Sequence, residues 1–307
     1  MHGILILPEY HIKLDRLRIV TTRRDYPNDY TSCPQAESPN RWGSHFILYE
    51  FLVLFDRILV RMARTGTRLK DGSVVSDPRL GRILQSDIRS RNFRISAIID
   101  VAAPLRSYTW SVGFSKVNQY HLDQGNEGTC VQYGFSHELL ARPVLVKFDT
   151  VSNLIKNNAL YFQFQQNDEW PGGAYPGAVP FYEGTSVLAG AKVLTSLSFY
   201  LSYHWADTEQ EIASAIAYHG PVVLGINWYT GMFKPDINGY IKPTGSLAGG
   251  HCILAKGINL KEDCYILHNS WGPGWGINGC AKIKRSAMSR LISEQGEACL
   301  PIRSRLR

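Results

Sequence analysis

The sequence predicts an α+β fold, on three observations. Helical spacing of apolar residues recurs between Cys130 and Tyr218. Apolar runs of strand length then begin at Val222, Cys252 and Cys264. Turn-rich links separate these stretches. In the first helix, Val131, Phe135 and Leu139 recur every fourth residue with Gly134 and Leu140 beside them, and the run closes at Arg142-Pro143. Residues Thr150 to Gln166 form the second, through Leu154, Leu160, Tyr161 and Phe164. The loop Asn167 to Tyr182 follows, and Glu183-Gly184-Thr185-Ser186 then offers hydroxyls to cap a helix over Val187 to Leu194. Acids at Asp207, Glu209 and Glu211 open a further helix over Ile212 to Tyr218. Gly220-Pro221-Val222 starts a strand to Ile226. Cys252 to Ala255 and Cys264 to Leu267, joined by the turn-rich Gly257 to Asp263, make a hairpin that brings His251 and Asn269 side by side.

The chain has 307 residues, 44% of them hydrophobic, enough to bury a core. Its net charge of +7 is uneven, for residues 1–107 carry +6 of it. Arginine-rich sequence without interleaved aromatics reads as a solvated arm, so no nucleic-acid partner is expected. The apolar start, Gly3 to Leu7, is too short for a secretory signal and is broken by Pro8. Phe46 to Val60 is too short to span a membrane and carries Glu50, Asp56 and Arg57; it reads as a buried or docking helix. A cytoplasmic location is the expectation. Arg23 to Gly43 is polar and proline-rich and reads as loop or disorder. Residues 1–61 lack turn-punctuated periodicity, so Met62 is a candidate true start.

Chemistry gathers around Cys130. A thiol in the first turn of a helix sits among unpaired backbone N–H groups, which favour thiolate. Six residues earlier, Gln124 stands where its amide and the Cys130 N–H can share an oxyanion. His251 can hold the proton that the thiol gives up, and the Asn269 carbonyl can fix the ring's tautomer. The four residues, with Asn269-Ser270-Trp271-Gly272 and Trp275-Gly276, resemble the papain-like cysteine peptidases. Two positions depart from that family's pattern: Glu127 stands where it has a cysteine, and Val131 where it has an aromatic.

The resemblance implies a papain-like two-lobed fold, with a helical lobe over about 100–205, a β-barrel-like lobe over 206–301, and the active site in the cleft between. Residues 1–99 are then an arm outside the catalytic domain, 100–307. Ser107 to Trp110 stands where family members cross the seam between lobes. The family's zymogens carry an inhibitory propeptide; its helical register is not found in Asp77 to Ile99, although a propeptide stays open. By the same resemblance Cys130, His251, Asn269 and Gln124 are catalytic, Gly172 and Gly173 bind substrate backbone, and Trp271 shields the His251–Asn269 bond. The substrate is a peptide or protein, with no cofactor and no metal. The six cysteines, Cys33, Cys130, Cys252, Cys264, Cys280 and Cys299, fit no zinc spacing. Glu127 removes a family disulfide partner, which points to a reducing compartment, while pairing among Cys264, Cys280 and Cys299 stays open. Two further readings also stay open, a non-catalytic papain-like binding module and an acyl transferase using the same thiolate.

Overall fold

A computed structural model describes residues 4–7, 10–15, 18–22, 66–86, 92–113 and 121–303. The run Phe46 to Val60, the stretch Arg23 to Gly43 and Met62 lie outside the described residues. The chain divides into two compact units, Met1–Arg57 and Ile58–Arg307. In the first, β1 (Ile4–Leu7), β2 (Tyr10–Asp15) and β3 (Arg18–Thr22) form an antiparallel meander, with Leu5 opposite Ile12 and Lys13 opposite Val20. This differs from the expectation of no periodicity before residue 62. His11, Lys13 and Asp15 alternate with Ile12 and Leu14, the two-residue period of a strand.

The second unit begins with β4 (Thr67–Arg68) and β5 (Val74–Val75), which pair antiparallel, then β6 (Arg82–Ile83) and β7 (Tyr108–Thr109). A helical layer follows: α1 (Cys130–Leu139), α2 (Phe148–Ile155), α3 (Ala159–Asn167) and, after β8 (Thr185–Ser186), α4 (Val187–Ser196). The single helix expected over Thr150 to Gln166 is two. Asn157 and Asn158 take φ of 54° and 58°, the left-handed region that asparagine tolerates and a helix cannot pass through. Ser186 caps α4 as expected, its Oγ accepting from the Ala189 N–H at 3.0 Å.

The rest is a sheet with helices against it: β9 (Ser202–Trp205), α5 (Glu209–Tyr218), β10 (Val222–Tyr229), β11 (Leu247–Asn259), β12 (Cys264–His268), β13 (Cys280–Lys284), α6 (Arg285–Ser293) and β14 (Glu297–Ile302). Strands run β13-β12-β11-β10-β14-β9, all antiparallel, and β7 adds to β11. Two of its strands, β7 and β9, therefore come from residues expected in the helical lobe. A capping box opens α5: Thr208 Oγ1 accepts from the Glu211 N–H and Glu211 Oε2 accepts from the Thr208 N–H. β11 has 13 residues, far longer than Cys252 to Ala255, and a bulge between Ala255 and Gly257 keeps it paired with β12.

Strand alternation sorts the side chains of β10 and β11 into two cores. Val223, Cys252 and Leu254 pack with Phe135, Leu139 and Leu188 of the helical layer. Val222, Leu224, Ile253 and Ala255 pack with Ile212 and Ile216 of α5 and Leu291 of α6. The turn before α1 and the end of β12 meet along this boundary, where Gln124 N–H donates to Ser270 O at 2.9 Å.

Candidate active site

Cys130 is the first residue of α1 and is wholly buried. The N–H groups of Cys252, Gly81 and Val131 point at its sulfur and favour the thiolate, yet burial outweighs them and pushes the thiol up to about 11. The sequence expectation of a depressed thiol is thus reversed in this state, because water is excluded from the sulfur. His251, on β11, directly precedes Cys252 and is equally buried. Its Nε2 lies 2.8 Å from Asn269 Oδ1. A carbonyl oxygen can only accept, so Nε2 carries the proton and Nδ1 is left bare. Nδ1 is buried and makes no hydrogen bond. Burial lowers the His251 pKa to about 4, against the opposing pull of the Asn269 bond. The Ser270 N–H also donates to Asn269 Oδ1, at 2.9 Å, which fixes the amide.

Trp271 packs its ring 4.9 Å from that of His251 and stacks on Phe233 at 5.7 Å. Trp228 packs beside Trp271, its ring 4.6 Å from the imidazole and 5.4 Å from the Trp271 ring. His251 and Asn269 are both buried, and burial is the main reason the ring resists a proton. Gln124 ties Ser270 to the turn before α1, its Oε1 accepting from Ser270 Oγ at 2.6 Å. Its Nε2 donates to two main-chain carbonyls, Glu127 O at 2.7 Å and Arg79 O at 2.9 Å.

That Arg79 carbonyl belongs to a segment, residues 66–86, which lies across Cys130 and His251. Lys70 anchors one end through a buried ion pair to Asp168 at 2.6 Å. The Arg79 guanidinium sits 4.1 Å above the Trp271 ring. Gly81 O accepts from the Thr185 N–H at 3.0 Å, and β6 then runs parallel to β8, Arg82 opposite Thr185. Arg82 Nε donates to Glu297 Oε2 at 2.8 Å on the far side. No periodic cue marks this segment; its signals are single charges whose partners lie up to 215 residues away.

Among the described residues no group of three or more His, Cys, Asp and Glu is arranged to hold a metal ion, and no helix is long and apolar enough to cross a membrane. Five cysteines are described, Cys130, Cys252, Cys264, Cys280 and Cys299, and all are free thiols.

Comparison with known proteins places this arrangement. Xylellain, a cysteine protease from Xylella fastidiosa, superposes with a TM-score of 0.54 at 15% identity, over 76% of this chain and 99% of that one. The fold is papain-like. Residues 185–299 match the family model of the papain family cysteine proteases. Human cathepsin O is 26% identical over 133 residues, 41% of this chain and 38% of that protein. The viral cathepsin of Spodoptera litura multicapsid nucleopolyhedrovirus is 24% identical over 218 residues, 63% of this chain and 62% of that protein. The matches thus span less than two thirds of either cathepsin. The resemblance read from the sequence is to this family, and the chain is divergent from it.

Within the papain-like fold, Gly172 and Gly173 lie in the loop between α3 and β8. Gly173 turns both main-chain groups into its own loop, its N–H donating to Pro180 O at 3.2 Å and its O accepting from the Tyr182 N–H at 3.4 Å. The edge that pairs with an extended chain is Glu183 to Ser186. Glu183 O accepts from the Lys70 N–H at 2.9 Å, its N–H donates to Arg68 O at 3.1 Å, and β8 takes β6. Sequence reasoning saw these four residues only as a helix cap. The boundary expected at residue 99 also falls inside the second unit, since residues 66–86 pack into it.

Proposed function

We propose that the chain is a cysteine peptidase that cleaves peptide bonds through Cys130, His251 and Asn269, and that residues 66–86 hold it latent. One observation carries this reading: the Gln124 amide already grips a main-chain carbonyl, that of Arg79, two residues before Gly81, whose N–H faces the Cys130 sulfur. A substrate carbonyl taking that place would be polarised by Gln124 Nε2–H and by the Cys130 N–H, free at the helix start. His251 Nδ1, bare and fixed by the Asn269 bond, then accepts the thiol proton as sulfur attacks the carbonyl carbon. The same proton passes to the leaving amine. Water, deprotonated by Nδ1, opens the thioester and returns the thiol.

Latency follows from the same contacts. A thiol at about 11 and an imidazole at about 4 form no ion pair at neutral pH, so the groove must open before the pair can exchange a proton. The five described cysteines, all free thiols, support a reducing, cytoplasmic setting. The complete burial of Cys130 and His251 equally favours a second reading, a papain-like module that binds without cutting. Intact-mass detection of alkylation by a peptidyl epoxide, read together with hydrolysis of a mixed peptide library, separates the two. For a peptidase, label and hydrolysis are both lost in Cys130→Ala and in His251→Ala. Hydrolysis that survives Cys130→Ala, or a folded Lys70→Ala/Arg79→Ala variant, with residues 66–86 loosened, that never takes the label, defeats the peptidase reading.

A further inference from the structure

Cys252 is a buried nucleophile that the peptide-cleaving steps leave unused. It follows His251 on β11, and strand alternation turns its thiol away from the imidazole, into the core that also holds Cys130. Its own N–H faces the Cys130 sulfur. Only Cα and Cβ stand between that nitrogen and the Cys252 sulfur, so both sulfurs are set around one peptide group. The space for the second comes from Gly134, one turn along α1 and on the same helix face as Cys130. A Cβ on Gly134 would lie 2.7 Å from Cys252 Sγ, so any larger residue there would push that sulfur out. Both thiols are wholly buried and free. Burial raises Cys252 well above the ordinary thiol range, and after burial the charge that weighs most on it is a Cys130 thiolate. Cys299 shares the core but weighs less on Cys252 than Cys130, Glu297 and Arg82 do. It lies across β10, opposite Val223, whereas Cys252 lies opposite Gly225.

We propose that Cys252 is the resolving thiol for an oxidised Cys130, the two closing a reversible disulfide when the opened groove admits a peroxide. The proposal rests on the placement of the two sulfurs and not on peptide hydrolysis. With residues 66–86 lifted, the Cys130 sulfur attacks hydrogen peroxide. The O–O bond breaks, Cys130 becomes a sulfenic acid, and the other oxygen leaves as water with the thiol proton. The Cys252 sulfur then attacks the sulfenic sulfur. An S–S bond forms, the S–O bond breaks, and the hydroxyl departs as water with the Cys252 proton. Peroxide is thereby reduced to water, and the two thiols are oxidised to one disulfide. Held against α1, Cys252 meets the sulfenic acid before a second peroxide does, which keeps Cys130 off the irreversible sulfinic and sulfonic steps. A small reducing thiol later breaks the bond by exchange and returns both cysteines.

Hydrogen peroxide treatment, followed by intact-mass measurement and non-reducing peptide mapping, tests this on the full chain. Lys70→Ala/Arg79→Ala serves as the form with a loosened groove. It is expected to lose the mass of two hydrogens and to yield a fragment that links the Cys130 and Cys252 peptides. Dithiothreitol should then restore both thiols and the alkylation of Cys130. Adding Cys252→Ala should leave Cys130 open to dimedone at the sulfenic stage and carry it on to two or three added oxygens. Alkylation recovered with dithiothreitol then falls from nearly all to nearly none. Equal irreversible oxidation of Cys130 with and without Cys252 overturns the proposal. So does a link from Cys130 to Cys299 or to a second chain in place of Cys252, or no link in any form that stays folded. A Cys130–Cys252 link in protein that hydrolyses no peptide overturns the peptidase reading alone, and hydrolysis without the link overturns the disulfide alone. If either variant fails to fold, the peptide map of the wild type after prolonged peroxide exposure decides.

Discussion

Acidification is expected to destabilise the second unit by way of His251. Its folded pKa is about 4, lowered from 6.5 mainly by burial among Trp228 and Trp271. In the unfolded chain the ring titrates near the ordinary value, so below about 6.5 the unfolded state binds the proton first. Stability therefore falls as the pH drops from 6.5 toward 4, and the contribution is fully present only above that window. At about 1.4 kcal/mol per unit, the gap is worth roughly 3 kcal/mol between pH 7 and pH 4. The groups around the ring do not reverse this: Asp77 raises the pKa and Arg79 lowers it, both less than burial does. Urea unfolding at half-unit steps between pH 7.5 and 4, on wild type and His251→Gln, measures it. Glutamine keeps a donor for Asn269 Oδ1 and cannot titrate. The variant should lose about 3 kcal/mol less than wild type over the range; coincident pH profiles would refute the argument. His268 and His121 are also lowered by burial, so both proteins should retain an acid-sensitive background.

Lys70→Ala leaves Asp168 as a buried carboxylate whose side chain has no exposure, and should cost about 3 kcal/mol or more in chemical unfolding. Arg79→Ala removes the cation over Trp271 and should speed alkylation of Cys130 about fivefold, from a contact worth about 1 kcal/mol. No change in that rate would mean that opening of the groove is not governed there. Thr208→Ala removes one half of the capping box and should lower stability by about 1 kcal/mol while leaving Cys130 alkylation unaltered.

The parts of the molecule legible in the sequence are those whose causes are local. Helix α1, the cap at Ser186 and the box at Thr208 each rest on residues within one turn of each other, so spacing revealed them. His251 and Asn269 were readable as neighbours because one hairpin joins them. The break at Asn157 was missed because the apolar pattern continues straight across it. The pairing of Lys70 with Asp168, of Arg79 with Trp271 and of Arg82 with Glu297 lies beyond any periodicity argument. Each joins one charged residue to a partner at least 98 positions away, and only the folded chain reveals the match. The state of the thiol was misjudged for the same reason. Helix position argues for a low pKa, but a distant segment decides whether water reaches the sulfur.

Strands β10 and β11 form a party wall, lending alternate side chains to the chambers on either side. Neither chamber can lose its packing without pulling on residues that the other needs. The helical and sheet halves should therefore melt together rather than in turn, and a loosened groove must come from the loop-like residues 66–86 lifting away, with the wall itself left standing.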